Sequence, residues 1–218
     1  MSKEKIIQIL SDTYRGATCG LVFSTPFELL VATILSAQCT DVRVNMVTPG
    51  LFEKFPDCYT MASASIADVE ELIKTCGFYK NKAKNIVSAS KKIVSDFGGV
   101  VPKTMDELTS LPGVGRKTAN VVRGNWYGIP SVVVDTHVKR ASNLLGLTKN
   151  EDPVKIEFDL MKIVPKEKWI DVNTQMIAHG RKICVARRPK CQECFLLPYC
   201  TGGKALEKEK AKKTKTKA

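Results

Sequence analysis

The sequence lacks the segments that mark membrane-spanning and secreted proteins. Its longest apolar run, Leu29 to Leu35, is far shorter than the ~18–20 residues that a membrane-spanning helix needs. Residues 1–10 show neither a secretory hydrophobic region nor a cleavage site. We therefore expect no membrane partner and an intracellular, reducing compartment, which is the cytoplasm if the source is prokaryotic. In a reducing compartment the eight cysteines do not predict four disulfides.

Acidic residues are also scarce relative to basic ones. The chain has 34 Lys and Arg against 22 Asp and Glu, a formal charge of +12. Residues 201–218 hold seven of the lysines and two of the glutamates, so the rest of the chain still carries +7. A basic body, and not only a basic tail, predicts a polyanionic partner such as nucleic acid.

Strand signals are almost absent, and helical periodicity is frequent. About ten segments repeat apolar residues at helical spacing, which predicts an all-α fold. Thr25 with Pro26 and Asp41 have the pattern of helix starts, and Thr48 with Pro49 that of a helix restart. The pattern of a helix end occurs at Gly98 with Gly99, at Gly146 and at Gly180, and we interpret His179 as a partner of the helix end before Gly180. Residues 131–134 include three β-branched valines, but no partner strand is visible, so we interpret this segment as a buried connector.

The most informative stretch is a glycine turn that leads directly into a helix. The amides of Gly113, Val114 and Gly115 and the helix start at Arg116 have the pattern of a phosphate-binding site. Lys117 lies in the first helical turn, where positive charge nearby favours an uncharged, nucleophilic amine. Two structural alternatives remain open at this point: the lysine could only contact a phosphate, and Asp135, eighteen residues later, could only cap a helix.

Four cysteines near the C-terminus have the spacing of a metal site. They follow the pattern C-x6-C-x2-C-x5-C and are Cys184, Cys191, Cys194 and Cys200. Tetrahedral zinc and a [4Fe–4S] cluster both use four thiolates, but zinc sites usually pair two short C-x2–4-C knuckles and this run has one. The spacing therefore favours the cluster. The loop between the first two cysteines is basic, which predicts phosphate contacts from Arg187, Arg188 and Lys190.

Together these motifs resemble the endonuclease III family, in the helix–hairpin–helix superfamily of base-excision DNA glycosylases. The resemblance rests on LPGVGRKTA at 111–119, VDTH at 134–137 and the four cysteines. Two further segments, LSAQCTD at 35–41 and GFYKNKA at 77–83, also match the family. The resemblance as a whole covers residues 4–200.

The resemblance implies roles for individual residues. Lys117 takes the place of the family's Schiff-base lysine and Asp135 that of its catalytic aspartate. The four cysteines fall on the [4Fe–4S] ligands. Gln38 matches the residue that fills the gap left by an extruded nucleotide, and Phe78 matches a wedge on the opposite strand. The family usually has an aliphatic residue at the wedge, so this departure bears on the opposite-base preference.

The resemblance also implies an architecture and an activity. We expect a six-helix barrel over 21–130 with the helix–hairpin–helix, and a discontinuous iron–sulfur domain over 1–20 and 131–203. The active site would occupy the cleft between these lobes, and 204–218 would be a disordered basic tail. The expected enzyme is a monomeric, bifunctional glycosylase and abasic-site lyase that acts on oxidised pyrimidines in double-stranded DNA, at the nucleoid in a prokaryote. The alternatives are an abasic-site or mismatch-directed relative, and a non-catalytic iron–sulfur DNA-binding module.

Overall fold

The computed structural model describes the backbone of residues 3–215 and the side chains of residues 3–208. Over that range the chain is all-α, as predicted, and contains no strand. Its α-helices are α1 Lys3–Thr13, α2 Pro26–Leu35, α3 Asp41–Lys54, α4 Cys58–Ala62, α5 Ile66–Ile73, α6 Tyr79–Phe97, α7 Met105–Thr109, α8 Arg116–Asn125, α9 Thr136–Leu144, α10 Pro153–Ile163, α11 Trp169–Lys182 and α12 Thr201–Lys215. None of the described helices is long and apolar enough to span a membrane.

The chain divides into two compact units. The first, which we name the hairpin unit, is Cys19–Ile129. The second, which we name the four-cysteine unit, joins Met1–Thr18 to Pro130–Ala218. The hairpin unit, all of which is described, contains the seven helices α2 to α8 where we predicted six. Two of the seven, α4 and α7, have only five residues each, and the count of six came from the family resemblance.

Helix α2 is the centre of the hairpin unit. Eight of its ten residues are buried, because its sequence is apolar on nearly every face. Thr25 caps it as predicted, with its side chain accepting a hydrogen bond from the backbone N–H of Glu28 at 3.1 Å. The helices around it close a single core over the whole unit.

Helix α3 differs from the sequence-based expectation at two points. We expected Asp41 to cap it, but Thr40 is the cap, accepting from the backbone N–H of Arg43 at 3.2 Å. We also expected a new helix to begin at Pro49, but α3 continues through this proline. A proline inside a helix removes one backbone hydrogen bond, and the packing of Val44, Thr48 and Leu51 into the core stabilises the helix across it.

The four-cysteine unit is formed by α1 and by the helices from α9 onward. The predicted connector, residues 131–134, belongs to neither a helix nor a strand, and Asn173 of α11 takes the place of a neighbouring strand. The Asn173 side chain accepts from the backbone N–H of Val133 at 2.9 Å and donates to the carbonyl of Ser131 at 3.0 Å. This buried amide therefore supplies the polar partners that a β-ladder would have supplied.

The lysine-rich tail was predicted to be disordered over 204–218, and this prediction is wrong for the described part. Residues 204–215 continue helix α12, and 216–218 lie outside the described residues. Alanine, leucine, glutamate and lysine are strong helix formers. The helix also has an anchored start, where the backbone N–H of Lys204 donates to the carbonyl of Cys200 at 3.2 Å.

Candidate active site and cluster site

The turn before α8 has its shape fixed by one glycine and not by both. Gly113 has a φ of +77°, and a Cβ built on it would lie 2.7 Å from the Cβ of Asn85 on α6. Gly115 has an ordinary φ of −94° and open space around it. Only Gly113 therefore uses the conformational freedom of glycine, which permits left-handed backbone and close approach to α6.

We predicted that the amide of Val114 is available to a phosphate, but this amide faces inward. It donates to the carbonyl of Leu111 at 3.1 Å, and the Val114 side chain is buried in the core of the hairpin unit. Val114 therefore anchors the turn, and the phosphate-binding role predicted for its amide is corrected.

The start of α8 is open and positively charged. Gly115 is its N-cap, and no side chain caps the helix. Arg116 is half-buried, and Lys117 is exposed in the first turn. An uncapped N-terminus presents backbone N–H groups and the positive end of the helix dipole, which together favour an anion. The turn thus presents an amine beside a surface suited to a phosphate.

Asp135 begins α9 in the four-cysteine unit. One of its carboxylate oxygens accepts from the backbone N–H of Val138 at 2.8 Å, so the helix-cap alternative is confirmed. A cap uses one oxygen and fixes the direction of the other, because the carboxylate is planar. Capping and a chemical role are therefore compatible at this residue.

Gln38 and Phe78 share an unusual backbone conformation. They are the two non-glycine residues with positive φ in the described chain, at +52° and +58°. Both side chains are exposed, and 64% of the surface of the apolar Phe78 faces solvent. Left-handed backbone at a non-glycine residue costs about 1–3 kcal/mol and is concentrated at functional positions. The structure thus presents both residues at strained turns of the hairpin unit.

The four predicted ligand cysteines line one apolar cavity. Cys184, Cys191, Cys194 and Cys200 surround it together with His179 and leucines such as Leu144. Within the described residues no three Cys, His, Asp or Glu side chains converge on a point suited to one metal ion. A cubane distributes its four ligands over four irons, and four thiols around one apolar cavity fit that arrangement.

Burial around this cavity acts on the thiols. It raises the pKa of Cys184, Cys194 and Cys200, because a thiolate is poorly solvated in apolar surroundings. The N–H of Gly203 in α12 donates to the Cys200 sulfur at 3.1 Å. Thiolates in such a cavity require a cationic group to balance them, and the iron of a cluster supplies that charge.

His179 contacts the cysteines and is not the helix-end partner that its position before Gly180 suggested. Burial lowers the pKa of His179 to about 4, and burial raises the pKa of Tyr14 to about 12. The Tyr14 hydroxyl therefore keeps its proton and can donate to His179 Nδ1 across 3.2 Å. That bond leaves the proton of the imidazole on Nε2, which lies 3.9 Å from the Cys194 sulfur.

Gly180 was predicted to end α11, but the helix continues to Lys182. The glycine serves packing instead, since a Cβ on it would lie 2.8 Å from the Cβ of His137 on α9. Sequence reasoning also missed Arg140, which donates from Nε and Nη2 to the carbonyl of Cys184, at 2.9 Å and 2.6 Å. Arg140 ties the helix that Asp135 begins to the first cysteine of the cluster loop, and no local signal marks this contact.

The loop between the first two cysteines is exposed and basic, as predicted. Arg187, Arg188 and Lys190 all face solvent, and Lys190 forms a 3.8 Å ion pair with Glu193. Arg187 also lines a groove with Lys139 of α9. This surface has the charge that a phosphate backbone requires.

Comparison with known proteins identifies the family. Residues 31–166 match the HhH-GPD superfamily of base excision DNA repair proteins, and residues 184–200 match the iron–sulfur binding domain of endonuclease III. The Endonuclease III of Synechocystis sp. is 54% identical over 202 residues, 92% of each chain. That of Bacillus subtilis is 47% identical over 201 residues, again 92% of each. The chain belongs to the endonuclease III family.

A solved structure of a trapped endonuclease III–DNA covalent intermediate, an estranged-adenine complex, agrees with this result. It has a TM-score of 0.90 and 42% identity, and the match covers 95% of this chain and all of the other. The predictions of an endonuclease III relative, of a [4Fe–4S] cluster and of a base-excision DNA glycosylase and lyase are thereby confirmed. The non-catalytic alternative is set aside.

Proposed function

We propose that this enzyme removes oxidised pyrimidines from double-stranded DNA through Lys117 and then cuts the strand 3′ to the lesion. The observation that carries the proposal is the exposed Lys117 amine in the uncapped first turn of α8, beyond the turn that Gly113 shapes. The proposed substrate includes abasic sites. We further propose that the chain acts as a monomer, at the nucleoid in a prokaryotic cell.

The proposed reaction begins with extrusion of the damaged nucleotide, which costs a few kcal/mol and costs least for a poorly stacked base. Gln38 and Phe78 would occupy the space left in the duplex, as inserted side chains do when they kink DNA. The α8 start and the basic side chains Arg187, Arg188 and Lys190 would hold phosphates. Those contacts give affinity and little sequence preference.

Lys117 would then form a bond from Nζ to C1′ of the deoxyribose while the bond from C1′ to the base breaks. The base leaves with a proton, and opening of the sugar gives an imine on Lys117. Asp135 would assist loss of the lysine proton and stabilise positive charge on the sugar, using the carboxylate oxygen that does not cap α9. The imine makes the C2′ proton acidic, so its removal breaks the C3′–O bond.

The first experiment traps the proposed imine. Borohydride added during reaction with an abasic duplex should yield a covalent protein–DNA adduct, and Lys117→Gln should abolish it. Lys91→Gln, which removes an exposed lysine of α6 in the same unit, is the matched control and should leave the adduct unchanged. An adduct of normal yield with Lys117→Gln would overturn the assignment of the nucleophile.

A second experiment separates the charge of Asp135 from its capping. Asn is as good a helix cap as Asp, so Asp135→Asn keeps the bond to Val138 and removes the negative charge. We expect base release to slow about a hundredfold or more, with DNA affinity and melting temperature nearly unchanged. Asp152→Asn makes the same change at the cap of α10 and should have no effect on the rate. Equal rates for both variants would exclude a chemical role for Asp135.

A further inference from the structure

The two strained turns of the hairpin unit lie against each other. The carbonyl oxygen of Gln38 is 3.4 Å from the position that a Cβ on Gly77 would take. The buried Lys82, on the first turn of α6, donates to the carbonyl of Leu35 at 2.8 Å, at the end of α2. The turn that presents Gln38 and the turn that presents Phe78 are thus joined by backbone contact and by one buried lysine.

Two cysteines lie at this junction, one on each turn. Cys39 follows Gln38 directly, and Cys76 comes two residues before Phe78. Both are reduced, and the Cys39 thiol lies near enough to Cys76 to act on its ionisation. Cys39 is half-buried, whereas Cys76 is 2% exposed. A small oxidant can therefore reach the pair through Cys39.

The surroundings of the two cysteines favour thiol–disulfide exchange in a fixed order, first at Cys39 and then at Cys76. Burial, together with the neighbouring Cys39, raises the pKa of Cys76 to about 11, so Cys76 rests as a thiol. The cations of Lys82 and Arg43 act in the opposite direction and stabilise a thiolate there. Once Cys39 is bonded to another sulfur it no longer opposes ionisation of Cys76, and the second thiol becomes the better nucleophile.

We propose that Cys39 and Cys76 form a reversible disulfide that ties the Gln38 turn to the Phe78 turn and slows DNA processing. The oxidant is a low-molecular-weight disulfide. The Cys39 thiolate attacks one of its sulfurs and expels a thiolate, which gives a mixed disulfide. Cys76 then attacks the Cys39 sulfur, loses its proton and expels the second thiol. Two protein thiols are oxidised, and the reagent is reduced to two thiols.

The consequence for activity rests on the proposed insertion of Gln38 and Phe78 into DNA. An S–S bond of about 2.05 Å is much shorter than any contact between two unbonded sulfur atoms, so its formation draws the two turns together. Displacement of a positioning group by about 1 Å can cost up to a hundredfold in rate. We expect the oxidised enzyme to nick an abasic duplex at least about tenfold more slowly.

The test treats the full-length, cluster-loaded enzyme with oxidised glutathione, blocks remaining thiols and maps the peptides by mass. Trypsin leaves Cys39 on peptide 16–43 and Cys76 on peptide 75–80, and the first of these also holds Cys19. The mapping therefore uses a Cys19→Ala background. We expect one cross-link between the two peptides, with the loss of two hydrogen atoms and reversal by dithiothreitol. A persistent glutathione adduct on Cys39, or no cross-link, would overturn the proposal.

Variants separate this proposal from the proposed function. Cys39→Ala, at a half-buried position, should prevent both the cross-link and the slowing, whereas Cys58→Ala, which removes a buried cysteine of the same unit, should prevent neither. Visible absorbance of the cluster, read in the same samples, shows whether the oxidant has damaged it. Slowing that persists in Cys39→Ala, or a cross-link without slowing, would overturn control by this pair. Absence of nicking by the reduced enzyme would instead contradict the proposed function.

Discussion

The two units are of nearly equal length and are stabilised in different ways. The hairpin unit has a core of 27 buried apolar residues, whereas the four-cysteine unit has 16 among its described residues. Buried polar side chains take a larger share of the second interior, where Asn173 and His179 make specific hydrogen bonds. The difference indicates that apolar burial is sufficient for one unit, and that the other depends on polar contacts and on its cluster.

This difference extends to the proposed active-site residues. Lys117 stands on a helix that packs into the larger apolar core. Asp135 begins a helix that Arg140 ties to the backbone of Cys184. Loss of the cluster should therefore disturb the surroundings of Asp135 before those of Lys117.

The largest effect is expected from Cys191→Ala, which removes a buried cysteine that we predict to be a cluster ligand. The variant should lose its iron and destabilise the four-cysteine unit by more than about 4 kcal/mol, while the hairpin unit stays folded. The chain has two tryptophans, Trp126 in the hairpin unit and Trp169 in the other. Single-tryptophan variants, made with Trp→Phe, thus report the unfolding of each unit by fluorescence.

Cys58→Ala is the control for this experiment, because Cys58 is a buried thiol of the hairpin unit whose Sγ donates to the carbonyl of Gly99 at 3.3 Å. It should keep the iron and cost about 1 kcal/mol, recorded by Trp126. If Trp126 and Trp169 reported simultaneous unfolding after loss of the cluster, the two units would share one cooperative transition. The hairpin unit would then not be stable without the four-cysteine unit.

A smaller effect is expected within the hairpin unit from Gly113→Ala. The left-handed backbone costs about 1–2 kcal/mol with a Cβ, and the clash with Asn85 adds about 1–3 kcal/mol. Gly115→Ala places the same methyl group into open space at ordinary φ and should cost less than about 1 kcal/mol. Urea denaturation measures both. Equal losses would show that the turn is not held by its contact with α6.

Whether a feature could be predicted from the sequence depends on how far apart along the chain the contacting residues lie. Thr25, Gly98 and Gly146 were assigned correctly, because a cap or a helix-ending glycine is recognised from its immediate neighbours. Gly180 and His179 were assigned incorrectly because their roles depend on contacts with His137, Tyr14 and Cys194, which are distant in the sequence. Local patterns predict where elements begin and end, and long-range packing decides what their side chains contact.

The candidate site follows the same division. The motifs singled out Lys117, Asp135 and the cysteines as candidates, since each belongs to a short run with a known chemistry, and their roles stay predictions. The roles of Val114 and Arg140 were not accessible in this way. Whether an amide faces solvent or another carbonyl, and which carbonyl a guanidinium binds 44 residues away, are properties of the folded backbone.

The smallest effects come from two asparagines that make the same pair of bonds, one in each unit. Asn173 binds the N–H of Val133 and the carbonyl of Ser131, and Asn45 binds the N–H of Val22 at 3.0 Å and the carbonyl of Gly20 at 2.8 Å. The first pair is buried and the second is exposed to solvent. Water can replace the side chain of Asn45 after truncation, but it has no ready access to the connector at 131–133.

Truncation to alanine should therefore cost about 2–3 kcal/mol for Asn173 and less than about 1 kcal/mol for Asn45. The single-tryptophan variants assign each loss to its own unit. If truncation of Asn173 cost no more stability than truncation of Asn45, the connector at 131–134 would not need the hydrogen bonds of Asn173. The four-cysteine unit would then depend on its cluster and apolar core alone, and its buried polar contacts would follow from the fold without stabilising it.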